Sequence, residues 1–325
     1  MKLTLAVVLM CALPLGSRAQ VVENFKAHTE YLASDELGGR GTGSKDIRLA
    51  AEYIARQFKS IGLQPIANRS YYQQFPIPGQ TKAEANIIGI IPAGSATNHS
   101  LVFTAHYDAY GDDADGFGEI EEQEDTINNG ALDNATGVAA IIEIARIFKT
   151  EKAPVQNLVF VATAAEEGGL YGSRYYVEHP VYPLQGITIC LNIDGFNVSG
   201  QREDYYIMPR QGVDFVDEIE SIAASMGWFY VSPDWVDQMN TSFDTASFLA
   251  KRIPAFTLWT GNRLKGGKTA PPIEFGKIHT PDDEVNKNWN WDGVADHIAL
   301  YKAIADYFLS HPDSISVTDP TLFQE

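Results

Sequence analysis

The chain has 325 residues, enough for one large or two ordinary domains, and its 45% hydrophobic content supports a substantial core and excludes a disordered protein. With 24 basic against 42 acidic residues its formal charge is −18, which argues against nucleic acid or an anionic membrane surface as a partner. Such acidity is compatible with a site that draws divalent cations, without establishing one.

The chain opens with Lys2, the apolar run Leu3–Leu15, and Ser17-Arg18-Ala19, which places small residues at −3 and −1 of a cleavage site before Gln20. Residues 1–19 are therefore expected to be a signal peptide, because the run is too short to span a bilayer comfortably. The mature protein is expected to be secreted or periplasmic, with no membrane attachment. Bulky Val8-Leu9-Met10 argues against a lipid-modified Cys11. Cleavage takes away Lys2 and Arg18, moves the charge to −20 and leaves Cys190 as the sole cysteine, so no intramolecular disulfide can form.

An N-terminal helical region follows over 20–85, with two helices across 21–63 around the polar connection 34–44. The second, Ile47–Ile61, has helical spacing and stops at Gly62. Beyond it, apolar runs predict strands at Asn86–Ile91, Leu101–Ala105, Leu158–Ala162, Thr188–Ile193, Tyr205–Met208 and Ala255–Trp259. Helices are predicted at Ala135–Phe148, Leu170–Val177, Phe215–Met226, Thr245–Ala250 and Val294–Leu309. This alternation indicates an α/β fold with a doubly wound, mostly parallel sheet flanked by helices, in which ligands bind beyond the carboxyl ends of the strands. Five Asn-x-Ser/Thr tripeptides begin at Asn68, Asn98, Asn134, Asn197 and Asn240; the pattern is common by chance and carries little weight.

Charged residues recur where strands spill into loops. His106 and Asp108 follow one strand two residues apart, so the carboxylate can lie behind the imidazole while its other nitrogen faces a metal. Asp133-Asn134 reads as a helix cap or as a carboxylate reaching two cations. Glu166-Glu167 directly follows an apolar strand, where two adjacent acids are costly without cations. Asp194 ends another buried strand, and His279 lies in a loop before the last helix.

The segments His106-Tyr107-Asp108, Leu132–Gly137, Ala165–Ser173, Ile193-Asp194 and His279–Asp283 occur in an order that resembles the M28 family of zinc aminopeptidases, over nearly the whole mature chain. The resemblance implies one zinc-exopeptidase-like catalytic domain over 20–325, without a protease-associated insert. It also implies two Zn²⁺ ions, one held by His106 and Asp194, the other by Glu167 and His279, with Asp133 as the bridge and a cis Asp133–Asn134 peptide. Glu166 matches the general base, with Asp108 beside it at the catalytic centre; substrates would be peptides with a free N-terminus. Nitrogen and oxygen ligands without thiolate favour zinc, and two zinc ions about 3.5–4 Å apart activate a shared water.

Three other readings stand beside this one. They are a glutaminyl cyclase-like acyltransferase, a carboxypeptidase with Arg210 or Arg263 as clamp, and a non-catalytic binding homologue. An insert loop spans 111–130; its stretch Gly111–Asp125 has eight acids and no base. It reads as a solvated loop, as an acidic rim favouring cationic substrates, or as a calcium site. In Asn240–Phe248 only Asp244 matches the Ser-Asp-His type pattern of relatives, so no oxyanion-stabilising residue is assigned. Trp228, Trp235, Trp259, Trp289 and Trp291 are expected mainly in the core.

Overall fold

The computed structural model describes residues 15–112, 126–270 and 277–324. Its strands are β1 (Tyr72–Pro76), β2 (Ala83–Ile91), β3 (Ser100–His106), β4 (Gly111–Asp112), β5 (Ile127–Asn128), β6 (Asn157–Thr163), β7 (Ile187–Asn192), β8 (Asp204–Met208), β9 (Phe229–Tyr230), β10 (Ala255–Thr260), β11 (Arg263–Leu264) and β12 (Lys268–Thr269). Its helices are α1 (Leu15–Leu32), α2 (Ile47–Ile61), α3 (Thr136–Thr150), α4 (Tyr171–Glu178), α5 (Val216–Ser225), α6 (Thr245–Ala250) and α7 (Val294–Ser310). Eight strands form one sheet in the order β1-β2-β6-β3-β7-β10-β8-β9. The central run β6-β3-β7-β10 is parallel, while β2 and β8 join it antiparallel.

Continuous burial explains why β3, β6 and β7 read as unbroken apolar runs, since helices cover both faces of the sheet. Alternate residues serve opposite layers. Leu101, Phe103, Leu158 and Phe160 meet α1, α2, α3, α5 and α7 on one face. Val102, Val159 and Val161 meet α4 and α6 on the other. Helix α2 buries Ile47, Ala50, Ala51, Ile54, Ala55 and Phe58, the stripe expected of an amphipathic helix. It ends at Gly62, whose φ of 84° lets the next two amides close on Lys59 and Phe58 carbonyls.

Three differences from the sequence reading have physical causes. Strand β1 lies inside the region read as helical; it is a largely exposed edge strand ending in Pro76, so it lacks an apolar signature. Two-residue β9 is likewise too short and exposed to register. Helix α1 begins at Leu15 and runs through the expected cleavage point, but the first of its residues in the core is Val21. Residues 1–14 and 113–125, which carry most of the expected signal peptide and of the acidic stretch, lie outside the described residues; β4 and β5 pair at the base of the latter. Among the described residues no helix is long and apolar enough to cross a membrane.

Candidate metal centre

Three parallel strands deliver site segments to one end of the sheet, and the turn before α3 adds a fourth. His106 is the last residue of β3, Glu166 and Glu167 follow β6, Asp194 follows β7, and Asp133 stands in the turn before α3. The fifth segment brings His279 in from a loop. The five expected ligands and Glu166 converge. Nε2 of His106 lies 3.0 Å from Asp133 Oδ1 and 3.6 Å from Asp194 Oδ1. Nε2 of His279 lies 3.0 Å from Asp133 Oδ2 and 3.5 Å from Glu167 Oε2. The two oxygens of one carboxylate thus face two different groups. Three sets have ligand atoms within 4.8 Å of one another: His106, Asp133 and Asp194; Asp133, Glu167 and His279; and His106, Glu166 and Glu167.

Local structure explains this convergence. Asp133 is not the helix cap; the bond into the first turn of α3 comes from Asn134, whose Oδ1 accepts the Gly137 N–H at 3.0 Å. The same side chain accepts the Gly195 N–H at 2.9 Å and donates to the Ile193 carbonyl at 2.9 Å, so it ties the Asp133 turn to the Asp194 turn. The Asp133–Asn134 peptide is cis. After β6, Ala165 takes a left-handed φ of 58°, a conformation unfavourable for a side chain and concentrated at functional turns. The carbonyls of Ala164, Ala165 and Glu166 accept amides of the following residues, which pins the turn that presents both glutamates.

Asp108 is fully buried, and its carboxylate accepts the amides of Glu166 and Glu167 at 3.2 Å each, plus the Thr42 hydroxyl. Its carboxylate stands 3.7 Å from His106 Nδ1, whose nearer partner is the Asp108 main-chain carbonyl at 3.2 Å. The pairing expected from strand geometry is therefore made chiefly through the backbone, while the carboxylate fixes the two glutamates.

Three further residues escaped the sequence reading. Arg40, fully buried with φ 53°, donates from Nε to the Tyr107 carbonyl at 2.7 Å, and from its terminal nitrogens to Leu32, Asn129 (2.7 Å) and Gly130 (3.0 Å). It joins the His106 and Asp133 loops. Burial lowers its guanidinium to about 10 although Asp283, Asp108, Asp133 and Glu167 attract the charge, so it remains a cation at neutral pH. Asp283 accepts the amides of Leu132 at 2.8 Å and Asp133 at 3.0 Å, and burial raises its carboxyl to about 7. Tyr110 lies against the His279 ring and hydrogen-bonds Glu167. These roles concern backbone groups and ring contacts, which only the closed fold brings together.

Electrostatically the centre is short of positive charge. Burial pushes Glu166 and Glu167 well above the usual carboxylate range; His106 opposes this in both, while Asp194 and Glu167 reinforce it at Glu166, and Asp133 at Glu167. Burial also raises Asp194. Burial would raise Asp133 too, but hydrogen bonds from His106 and His279 hold it well below its ordinary value. In His106 burial is outweighed by Asp194, Glu166, Asp108 and Asp133, which hold the imidazole well above its usual range. Four carboxylates against two imidazoles in a largely buried space need cations. Glu167 Oε1 is buried without a hydrogen-bond partner among the described residues, as suits an atom reserved for a metal. The donors are imidazole and carboxylate, and Cys190 is buried beside Thr104, apart from these donors, which fits zinc.

Beside Asp194, Trp259 donates its indole N–H to the Asp194 carbonyl and stands within a cluster of Tyr206, Trp235 and Phe243. Trp235 is 40% exposed, so not all the tryptophans are core. Asp244 receives the Thr163 hydroxyl, and burial raises its carboxyl to about 6. Arg210 is paired with Asp237, and Arg263 with Glu203 while it covers the Phe229 ring; neither cation is uncommitted. Asn134 and Asn197 of the glycosylation-like tripeptides are buried.

Comparison with known proteins bears on the family and the fold. A probable zinc metalloprotease of Pyricularia oryzae is 28% identical over 163 residues, 44% of this chain and 30% of its own length. The chain spans less than two thirds of the length of the curated relatives it matches. Among solved structures, BSAP, a zinc aminopeptidase from Bacillus subtilis, superposes with a TM-score of 0.63 at 16% identity, covering 90% of this chain and 95% of its own. Porphyromonas gingivalis glutaminyl cyclase gives 0.64 at 17%, covering 88% and 98%. At these identities the structures speak for the fold. The family model described as Peptidase family M28 matches residues 86–305, which contain the five candidate ligands and Glu166, and the chain belongs to that family.

Proposed function

We propose that this chain is an exported di-zinc aminopeptidase that removes N-terminal residues from peptides, with Glu166 as general base. One observation carries the reading: Asp133 directs one oxygen to His106 and the other to His279, each at 3.0 Å. His106, Asp133 and Asp194 would hold one ion, and Asp133, Glu167 and His279 the other. Bound zinc would supply Lewis acidity to the scissile carbonyl and to the attacking water.

The chain's own residues supply positioning and proton transfer. Glu166 belongs to neither ion's set, yet lies within 4.8 Å of ligand atoms of His106 and Glu167. Its raised carboxyl favours holding a proton, and neighbouring cations would draw that affinity back toward neutrality, as suits a base that takes a proton from water and delivers it to the leaving amine. Asp108 fixes the main chain of both glutamates, and Arg40 and Asp283 fix the loops on either side. Asp108 is thus a positioning residue.

The aminopeptidase direction is supported by the named relatives and by the commitment of Arg210 and Arg263 to ion pairs, which leaves neither as a clamp for a substrate carboxylate. Export rests on residues 1–19, and cleavage before Gln20 leaves intact every residue by which α1 enters the core. The full ligand set weighs against a non-catalytic homologue.

Turnover of amino-acyl and N-acetylated amino-acyl substrates by the zinc-loaded protein tests this. Cleavage of the free-amine substrate alone is expected, and equal cleavage of both would contradict the aminopeptidase reading. Glu166→Gln should keep its metal and lose about 10²–10⁴-fold in kcat; a fully active variant would sink the base assignment.

A further inference from the structure

Next to the centre, on the side of Glu167 and Tyr110, lies a cleft of about 840 Å³, within the range of sites for small ligands and short peptides. Its walls are the turn around Gly41–Asp46, the turn Ile77–Lys82, Tyr110–Gly111 and the start of the Glu167–Tyr171 turn. Glycines 41, 43, 79 and 168 contribute no side chain there, so main chain is accessible to an extended substrate.

The charge of this cleft differs from that of the molecule. Lys45 and Lys82 line it, both are exposed, and neither is held in an ion pair among the described residues. Two acids, Asp46 and Glu167, line the same cleft. The Asp46 carboxylate is turned onto Gly38, where an added Cβ would fall 2.8 Å from its Oδ2. Glu167 belongs to the metal centre, and Glu84 beneath the wall accepts the Gly43 N–H at 2.9 Å. A chain of formal charge −18 thus presents beside its reactive centre two exposed lysines that make no ion pair among the described residues.

We propose that this cleft receives the part of the peptide on the carboxyl side of the scissile bond, and that Lys45 and Lys82 select leaving segments carrying a carboxylate. The inference rests on the peptidase reading above. A short peptide brings such a group as its C-terminus, a longer one as an acidic side chain.

The test is kcat/KM of the zinc-loaded enzyme on Leu-Gly-Gly, Leu-Gly-Gly-amide and Leu-Gly-Asp-amide, for the parent and for the double variants K45A/K82A and K45E/K82E. The parent should favour the two carboxylate-bearing substrates over the neutral amide by about tenfold, mainly through KM, from two partly solvated charge contacts. The ratio should approach one in K45A/K82A, invert in K45E/K82E, and weaken with salt in the parent. A preference for Leu-Gly-Gly alone identifies the C-terminal carboxylate as the group read; preference for both identifies any carboxylate. An acid-to-amide ratio of one in the parent, or a ratio unmoved in both lysine variants, overturns the proposal. Absence of hydrolysis of all three by folded, metal-loaded protein overturns the peptidase reading instead.

Discussion

Arg40 shows how much of the site is held by a residue that never meets substrate. Its guanidinium satisfies carbonyls of Leu32, Tyr107, Asn129 and Gly130 and places a buried positive charge among four acids. Arg40→Met removes the charge and leaves buried carbonyls unmet, which should cost about 3–5 kcal/mol and weaken zinc binding. Arg40→Lys keeps charge but not the planar fork and should fall between. Denaturant unfolding and zinc titration of the three proteins check this order; equal stability of parent and Arg40→Met would refute it. Asn134 has the same logic at neutral charge. Nothing in the sequence around Arg40 announces its bonds, whose partners are backbone groups up to 90 residues away, and at Asn134 the sequence shows a cap but not the ties to Ile193 and Gly195.

Among the elements, α7 carries the clearest pH signature. His297 is fully buried, both ring nitrogens are unpartnered among the described residues, the ring stacks on Phe196 at 4.0 Å, and burial lowers its pKa to about 3. A depressed folded pKa means that its contribution to stability is present above the ordinary histidine value of about 6.5 and is lost as pH falls from there toward 3. His297→Phe should therefore lose less stability than the parent between pH 6.5 and pH 3, seen as a smaller drop in Tm; parallel curves would show that His297 does not titrate on unfolding. Element by element, the sequence was legible where the chemistry repeats. Strands β3, β6 and β7 are buried along their whole length and read as apolar runs. Edge strand β1 has an exposed, polar stretch with one buried residue, Phe75, and gave no signal. His106, Glu166, Glu167 and Asp194 stood out because charge at the end of an apolar strand has few structural uses, Asp133 and His279 joined them only through the family resemblance, and Tyr110 became visible only through its contact with His279.

At the scale of the molecule, the centre joins β3, β6, β7, the turn before α3 and the His279 loop, so occupancy and folding are coupled. Chelation should lower Tm, because ions that bind only the native state at about a thousandfold their dissociation constant add about 4 kcal/mol, and a chain of this size then shifts by roughly 6 °C. An unchanged melting curve after chelation would show that no ion stabilises the fold. Export makes a separate prediction: mass spectrometry of protein recovered outside the cytoplasm should find Gln20 as the first residue, and an intact Met1 would contradict the signal-peptide reading.

The proposed bridging of two ions by Asp133 is tested most directly by metal stoichiometry. Zinc content per chain, measured by mass spectrometry of protein equilibrated with excess zinc and freed of loose ions, should be two in the parent and well below two in Asp133→Ala. One zinc per parent chain would contradict a bridging Asp133 and favour a single-metal centre.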